Sequence, residues 1–259
     1  FGYLEQGSAE VNYSTTNNQE DGVHEADIFQ VDGAFAYALD GDRLIIIEAK
    51  SQAFGPSLQI QDAVIASSTT LRGEPIEMFL AGDDVIVMSR VRHDDVALQY
   101  GASSVPERAP DGALVMALVY DVSDRKAPKL AREVAVEGEY IAGRRIGDEL
   151  YLVARSALGG PQPVADDEEV NLESLIAQVN ESTLDSYLPY VFSRSFDVGV
   201  KVDESVSRSD CGRTFASQSG GGDDALGIYS FSLANIESPV HTTTFVGDGT
   251  IVYASKNSI

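Results

Sequence analysis

A short unit recurs along this chain, and its pattern admits few folds. Three segments superpose: Ile28 to Leu39 around Gly33, Ile76 to Met88 around Gly82, and Tyr140 to Val153 around Gly147. Each reads as an apolar strand, a tight turn and a second apolar strand. Asp32, Asp83 and Asp148 flank the three glycines. Gly and Asp tolerate the positive φ that short hairpin turns demand. A fourth copy begins at Thr250 to Ser255. Helical 3.6-residue spacing is missing from these segments, so a helical solenoid is excluded.

Two further strand candidates follow each hairpin. They are Arg43 to Glu48 and Ser57 to Asp62, then Val115 to Tyr120 and Lys129 to Val136, then Gly227 to Leu233 and His241 to Val246. Four meandering antiparallel strands per repeat make a propeller blade. The chain therefore reads as all-β: a β-propeller fragment of about three four-stranded antiparallel blades plus the start of a fourth, with a helical insertion. A leading segment, residues 1–27, precedes blades placed at 28–66, 76–136 and 140–246, and the next blade starts at 250–259.

Repeat length varies for one reason. The link between the second and third strand of a blade is Asp40 to Asp42 in the first blade. It grows to about residues 91–114 in the second and about 156–226 in the third. These links share one rim of a propeller, so the elaboration gathers on one face, and loops carry function more often than their scaffold. Within the longer insertion, Leu172, Leu175, Ile176 and Val179 have helical spacing. The acidic run Asp166 to Glu169 precedes them and suits a helix N-terminus. That apolar stripe needs a surface, and the expectation is that it packs on the rim of its own blade and on the neighbouring second-blade insertion, walling one side of the channel mouth; the alternative is that the insertion splays outward onto a neighbouring molecule. The Ser- and Gly-rich stretch Ser207 to Asp224 reads as mobile.

The formal charge is −23, from 41 acidic and 18 basic residues. Nucleic acid and anionic membrane surfaces both call for basic patches, so neither is expected as a partner. No run approaches the roughly 18 apolar residues of a membrane span. The sequence starts at Phe1 without an apolar leader, which suggests a removed upstream segment. Cys211 is the single cysteine. It is a free thiol, the partner of a cysteine outside this stretch, or a reactive nucleophile.

Candidate ligand-binding residues cluster near the inner strands. Glu25 and Asp27 lie just before the first inner strand, and Arg144 and Arg145 lie on that of the third blade. All four could meet a ligand in the channel. The structural alternative is that Glu25 and Asp27 tie the leading segment to the blades and that the inward arginine pairs with a carboxylate. His93, Asp94 and Asp95 could be metal ligands, and Asp166 to Glu169 or Asp223 and Asp224 would suit Ca²⁺, which prefers several oxygens. None matches a complete metal-site pattern, and solvated turns account for them equally, so no cofactor is assigned. Nucleophile elbow, phosphate loop, zinc and dinucleotide spacings are also missing.

Four stretches carry a resemblance to a family. The most specific runs from Tyr13 through Asn17, Gln19, Gly22, Glu25 and Asp27 to Ile28. The others are Val119 to Asp124, Pro128 to Gly138, and Val252 to Ser255. The chain resembles the bacterial and archaeal secreted proteins with a C-terminal β-propeller distantly related to WD40 repeats. His24 departs from the pattern, where relatives carry Asp. The resemblance implies export, a propeller and further blades, and no particular activity. The functional expectation is an exported, non-catalytic binding module. It would use the elaborated face to hold a protein, peptide or glycan, with the remainder of the propeller or a second copy as a further partner. The alternative is a hydrolase-type enzyme or metal-binding protein with its site at the channel mouth. Converging carboxylates with an Arg would favour the alternative, and exposed aromatics at Tyr187, Tyr190 and Phe192 would favour binding.

Overall fold

The computed structural model describes residues 23–259 except 34, 55–56, 93, 95, 97–112, 160–164, 167–168, 171, 218–221, 223, 248–254 and 256–259. The leading segment contributes β1 (Val23–His24). Blade one is β2 (Phe29–Asp32), β3 (Phe35–Asp40), β4 (Arg43–Phe54) and β5 (Ser57–Thr70), paired in that order. Blade two is β6 (Glu74–Ala81), β7 (Asp84–Arg92), β8 (Ala113–Asp121) and β9 (Lys129–Glu137). Blade three begins with β10 (Glu139–Ile146) and β11 (Glu149–Ala157). The long insertion then supplies β12 (Ala165–Asp166), β13 (Glu169–Val170), α1 (Leu172–Glu181), β14 (Tyr190–Asp197), β15 (Val200–Arg208) and β16 (Thr214–Ala216). Strands β17 (Asp224–Ser232) and β18 (His241–Val246) complete the third blade. The three blades are separate open sheets of an all-β propeller fragment. The start of the fourth blade lies outside the described residues, Ser255 apart.

The repeated hairpins share one turn conformation: φ is 59° at Gly33, 62° at Gly82 and 59° at Gly147. These turns define one rim, and the insertions leave from the other. Blades pack face to face through two apolar layers. Tyr37, Leu44 and Ile46 of blade one meet Val85, Val87, Leu114, Met116 and Leu118 of blade two. On its opposite face blade two presents Ile86, Met88, Val115, Ala117 and Val119 to Leu150, Leu152, Tyr229 and Phe231 of blade three. Strand alternation assigns successive residues to the two layers.

The 156–226 insertion is more ordered and more central than its sequence suggests. Its hairpin β14–β15 joins the outer edge of blade two, where β14 pairs β9 antiparallel with Phe192 opposite Ala135 and Arg194 opposite Glu133. Blade two thus has six strands, and an unpaired outer edge is covered. Tyr190 and Phe192 are buried because β14 turns them into the layer shared with blade one, so these two do not supply the exposed aromatics that would favour a binding face. Glu133, fully buried at this seam, pairs with Arg72 and lies 3.6 Å from Arg194, which also pairs with Glu204 at 2.6 Å. The stretch expected to be mobile contains the end of β15, a 3₁₀ turn with Cys211, and β16, which adds in parallel to β18 with Phe215 stacked on Phe245 at 5.5 Å. Cys211 is a free thiol there, half-buried.

The helix forms where its spacing predicts. Ser182 closes its C-terminal end by donating twice to the last turn, its N–H to Gln178 O at 3.0 Å and its hydroxyl to Val179 O at 2.8 Å. Gly159 N–H donates to Tyr187 O at 3.0 Å, so the helical excursion is pinned at its base to the end of β11. Its apolar stripe is not covered. No residue of α1 is buried, and Leu172, Ile176 and Val179 are 63%, 52% and 49% exposed. Packing against the rim of its own blade is therefore not found among the described residues, and residues 97–112 of the second-blade insertion lie outside them.

Phe192 supplies a test of the insertion's role. Truncating a fully buried Phe costs about 3–5 kcal/mol. Phe192→Ala is expected to lose that much in urea unfolding, as a core position of blade two itself would. A loss within experimental error of zero would mean that the hairpin is a dispensable attachment.

Candidate functional site

The inner strands β2, β6 and β10 present sheet edges that need partners. The leading segment supplies them. In β1, Val23 pairs with Ile146 and His24 with Arg145 of β10. Asp27 then bridges to Met78 of β6, donating its N–H to Met78 O at 3.0 Å and accepting from Met78 N at 2.8 Å. Beyond it, the Gln30 amide of β2 acts as a surrogate peptide group: Nε2 donates to Met78 O at 3.0 Å, and Oε1 accepts from Leu80 N at 2.9 Å. One segment therefore crosses the inner edges of blades three, two and one in turn.

This belt carries Glu25 and Asp27 to the place where β6 and β10 present Glu77, Tyr140 and Arg144. Glu25 Oε1 lies 3.4 Å from Arg144 Nη2, with both side chains largely buried. Arg144 Nη1 donates to Gly143 O at 2.7 Å. Asp27 Oδ1 accepts from Ile28 N at 2.7 Å, capping the turn into β2. Tyr140 donates its hydroxyl to Glu77 Oε1. Burial pushes the Glu77 carboxyl above the ordinary range, with the Tyr140 hydrogen bond and Arg144 opposing the shift and Asp27 and Glu25 adding to it. Burial, then the neighbouring Glu77, likewise raises the Tyr140 phenol. The arrangement sets Glu25 and Glu77 by one guanidinium, with Asp27 adding negative charge near Glu77, and it favours the protonated form of Glu77 more than water does.

Of the four residues singled out from sequence, Glu25, Asp27 and Arg144 come together. Arg145 does not join them. Alternation puts it on the other face of β10, where Nη1 donates to Gly147 O at 2.8 Å and burial lowers its pKa. His24, its cross-strand partner, is also held below the usual imidazole range by burial and then by Arg145. Glu77 and Tyr140 were not foreseen. Each sits at a register shift, between Pro75 and Glu77 in one blade and between Tyr140 and Ala142 in the next. Bulges re-aim side chains in this way.

Among the described residues no three of His, Cys, Asp and Glu gather as a metal ion requires. His93, Asp95 and Asp223 lie outside the described residues, as do two of the four in the run Asp166 to Glu169. Among the described residues no helix is long and apolar enough to cross a membrane. The family model described as a beta propeller domain matches residues 13–259. Nothing matches among curated proteins or among solved structures.

The Glu77 shift has a measurable sign. Because the folded chain holds the proton more tightly than the unfolded one, this carboxyl's stabilising contribution is complete below the ordinary Glu pKa, about 4.3. It is lost as pH rises towards the raised folded value. Glu77→Gln does not ionise, so wild type is expected to fall in stability relative to the variant across that window. A difference between the two that stays constant with pH in urea titrations would show that Glu77 titrates as a solvated carboxyl.

Proposed function

The chain belongs to the beta-propeller domain family, and from that premise we propose that it is an exported, non-catalytic interaction module whose elaborated rim holds a protein or peptide partner. One observation carries this reading. Helix α1 stands on that rim with Leu172, Ile176 and Val179 open to solvent. Amphipathic helices bury such stripes in a partner's groove or bundle. Ten-residue helices are marginal without that packing. The base beneath α1 is tied by the Gly159–Tyr187 hydrogen bond and leads through Leu188 and Pro189 into the six-stranded sheet. The acidic surface favours a partner with basic flanks around an apolar centre. Export rests on the resemblance carried by the Tyr13 to Ile28 stretch. The face of blade one turned away from blade two carries Ile65, which is 66% exposed, and is where further blades or a second copy would add.

A second reading rests on the convergence of Glu25, Asp27 and Glu77 around Arg144. It makes the channel mouth a hydrolytic or ligand-binding site, with Glu77 as proton donor. The belt's structural duties account for Glu25 and Asp27 without it, so the interaction reading is preferred.

A photo-crosslinking residue in place of Ile176, in cells that export the protein, is expected to give a discrete higher-mass adduct. Adding Leu172→Ser and Val179→Ser should abolish the adduct while leaving the thermal midpoint unchanged, since neither residue is buried. An adduct confined to the chain itself, or one that survives those two substitutions, would remove the rim helix as the binding element.

A further inference from the structure

Every other fully buried charge among the described residues has an opposite partner, as burial demands. Glu133 has two arginines beside it. Arg132, the next residue on β9, points to the opposite face and is 2% exposed. Its guanidinium is met by neutral oxygens: Nη2 donates to Ser238 O at 2.6 Å and Ser193 Oγ at 3.3 Å, and Nη1 to Ser238 Oγ at 3.2 Å. Its plane lies 4.6 Å from the Phe231 ring centroid. Its Nε is buried with no hydrogen-bond partner. Among the described residues no carboxylate stands within ion-pair distance; Asp203 acts on it only through space.

Beside this guanidinium is a cavity of about 220 Å³, lined by Arg132, Ser193, Ser195, Asp203, Ser205 and Ser238 with neighbouring residues of the β17–β18 loop. Its walls come from two blades. The Arg132, Ser195 and Asp203 row runs across the extended sheet of blade two, because Ser195 is opposite both Arg132 and Asp203. Glu237 and Ser238 belong to the loop of blade three. The cavity exists only because the β14–β15 hairpin was added to β9, so it is a feature of the insertion and not of the blade repeat. It lies near the hairpin-turn rim, away from α1.

We propose that this cavity binds a small hydroxylated monocarboxylate, such as a sugar acid, with Arg132 taking the carboxylate. A cation held dry and without a counter-charge supplies a strong, charge-assisted site for an anion. The serine hydroxyls both donate and accept, and so match ligand hydroxyls. Asp203 and Glu237 accept from ligand hydroxyls and repel multiply charged anions. Phosphate and sulfate are therefore the wrong class, and the size admits about one sugar ring.

Galacturonate, galactose, acetate and sulfate are the probes, read by calorimetry and by amide shifts at Ser195 and Ser205. Wild type is expected to bind galacturonate more tightly than each of the other three. Arg132→Met, which keeps the contact with Phe231, should weaken galacturonate by about tenfold or more, the loss expected for a charged hydrogen-bonded pair. Asp203→Asn changes an exposed residue and leaves the fold intact. It should narrow the preference for galacturonate over acetate, and it keeps the proposal testable if Arg132→Met fails to fold. Galactose or sulfate binding as tightly as galacturonate, no response to any probe, unchanged affinity in Arg132→Met, or an unchanged galacturonate-to-acetate ratio in Asp203→Asn would each overturn it.

Discussion

Strand β8 is buried along its whole middle, from Leu114 to Tyr120, with odd and even positions facing different neighbours. A sheet buried on both faces tolerates apolar side chains almost everywhere, and it fixes the spacing of whatever packs on either side. Blades one and three each contribute one face to this arrangement. The positions of the inner strands, and with them the meeting of Glu25, Glu77, Tyr140 and Arg144, follow from how two flanking sheets sit on the central one.

Sheet edges are the second constraint, and the chain meets it with segments from outside the repeat. Inner edges are covered by the leading segment and by the Gln30 side chain. The outer edge of blade two is covered by β14, and that of blade three by β16. These covers differ in kind from the apolar layers between blades. They are made by hydrogen-bonded pairing, and those from the leading segment and β14 bring charged side chains into partly dry surroundings. The Glu133–Arg194 pair and the Arg132–Ser193 contact are both products of adding one hairpin to β9.

What could be read from sequence divides along the same line. The blades were legible because Gly33, Gly82 and Gly147 punctuate alternating apolar runs, and both signals are local. Helix α1 was legible from Leu172, Leu175, Ile176 and Val179, but a stripe announces a need for cover without saying whether the chain provides it. Residues 190–197 alternate as a strand should, yet nothing local tells that they join blade two and not blade three. At Arg144 and Arg145, alternation promises one residue to each face and cannot say which. Glu77 and Tyr140 escaped notice because bulges break the two-residue period on which such reasoning rests.

The leading segment also sets an order of events. Val23 and His24 pair with Arg145 and Ile146, more than a hundred residues further along, so their docking closes a very long loop. During synthesis, Val23 and His24 emerge before the blades and find no mate until the third inner strand has been made, whereas Asp27 can already meet Met78 of blade two. Blades one and two can assemble as each hairpin appears, since their pairings are local. The pairing of β1 settles only afterwards, so two residues translated ahead of the blades reach their native places after blades one and two.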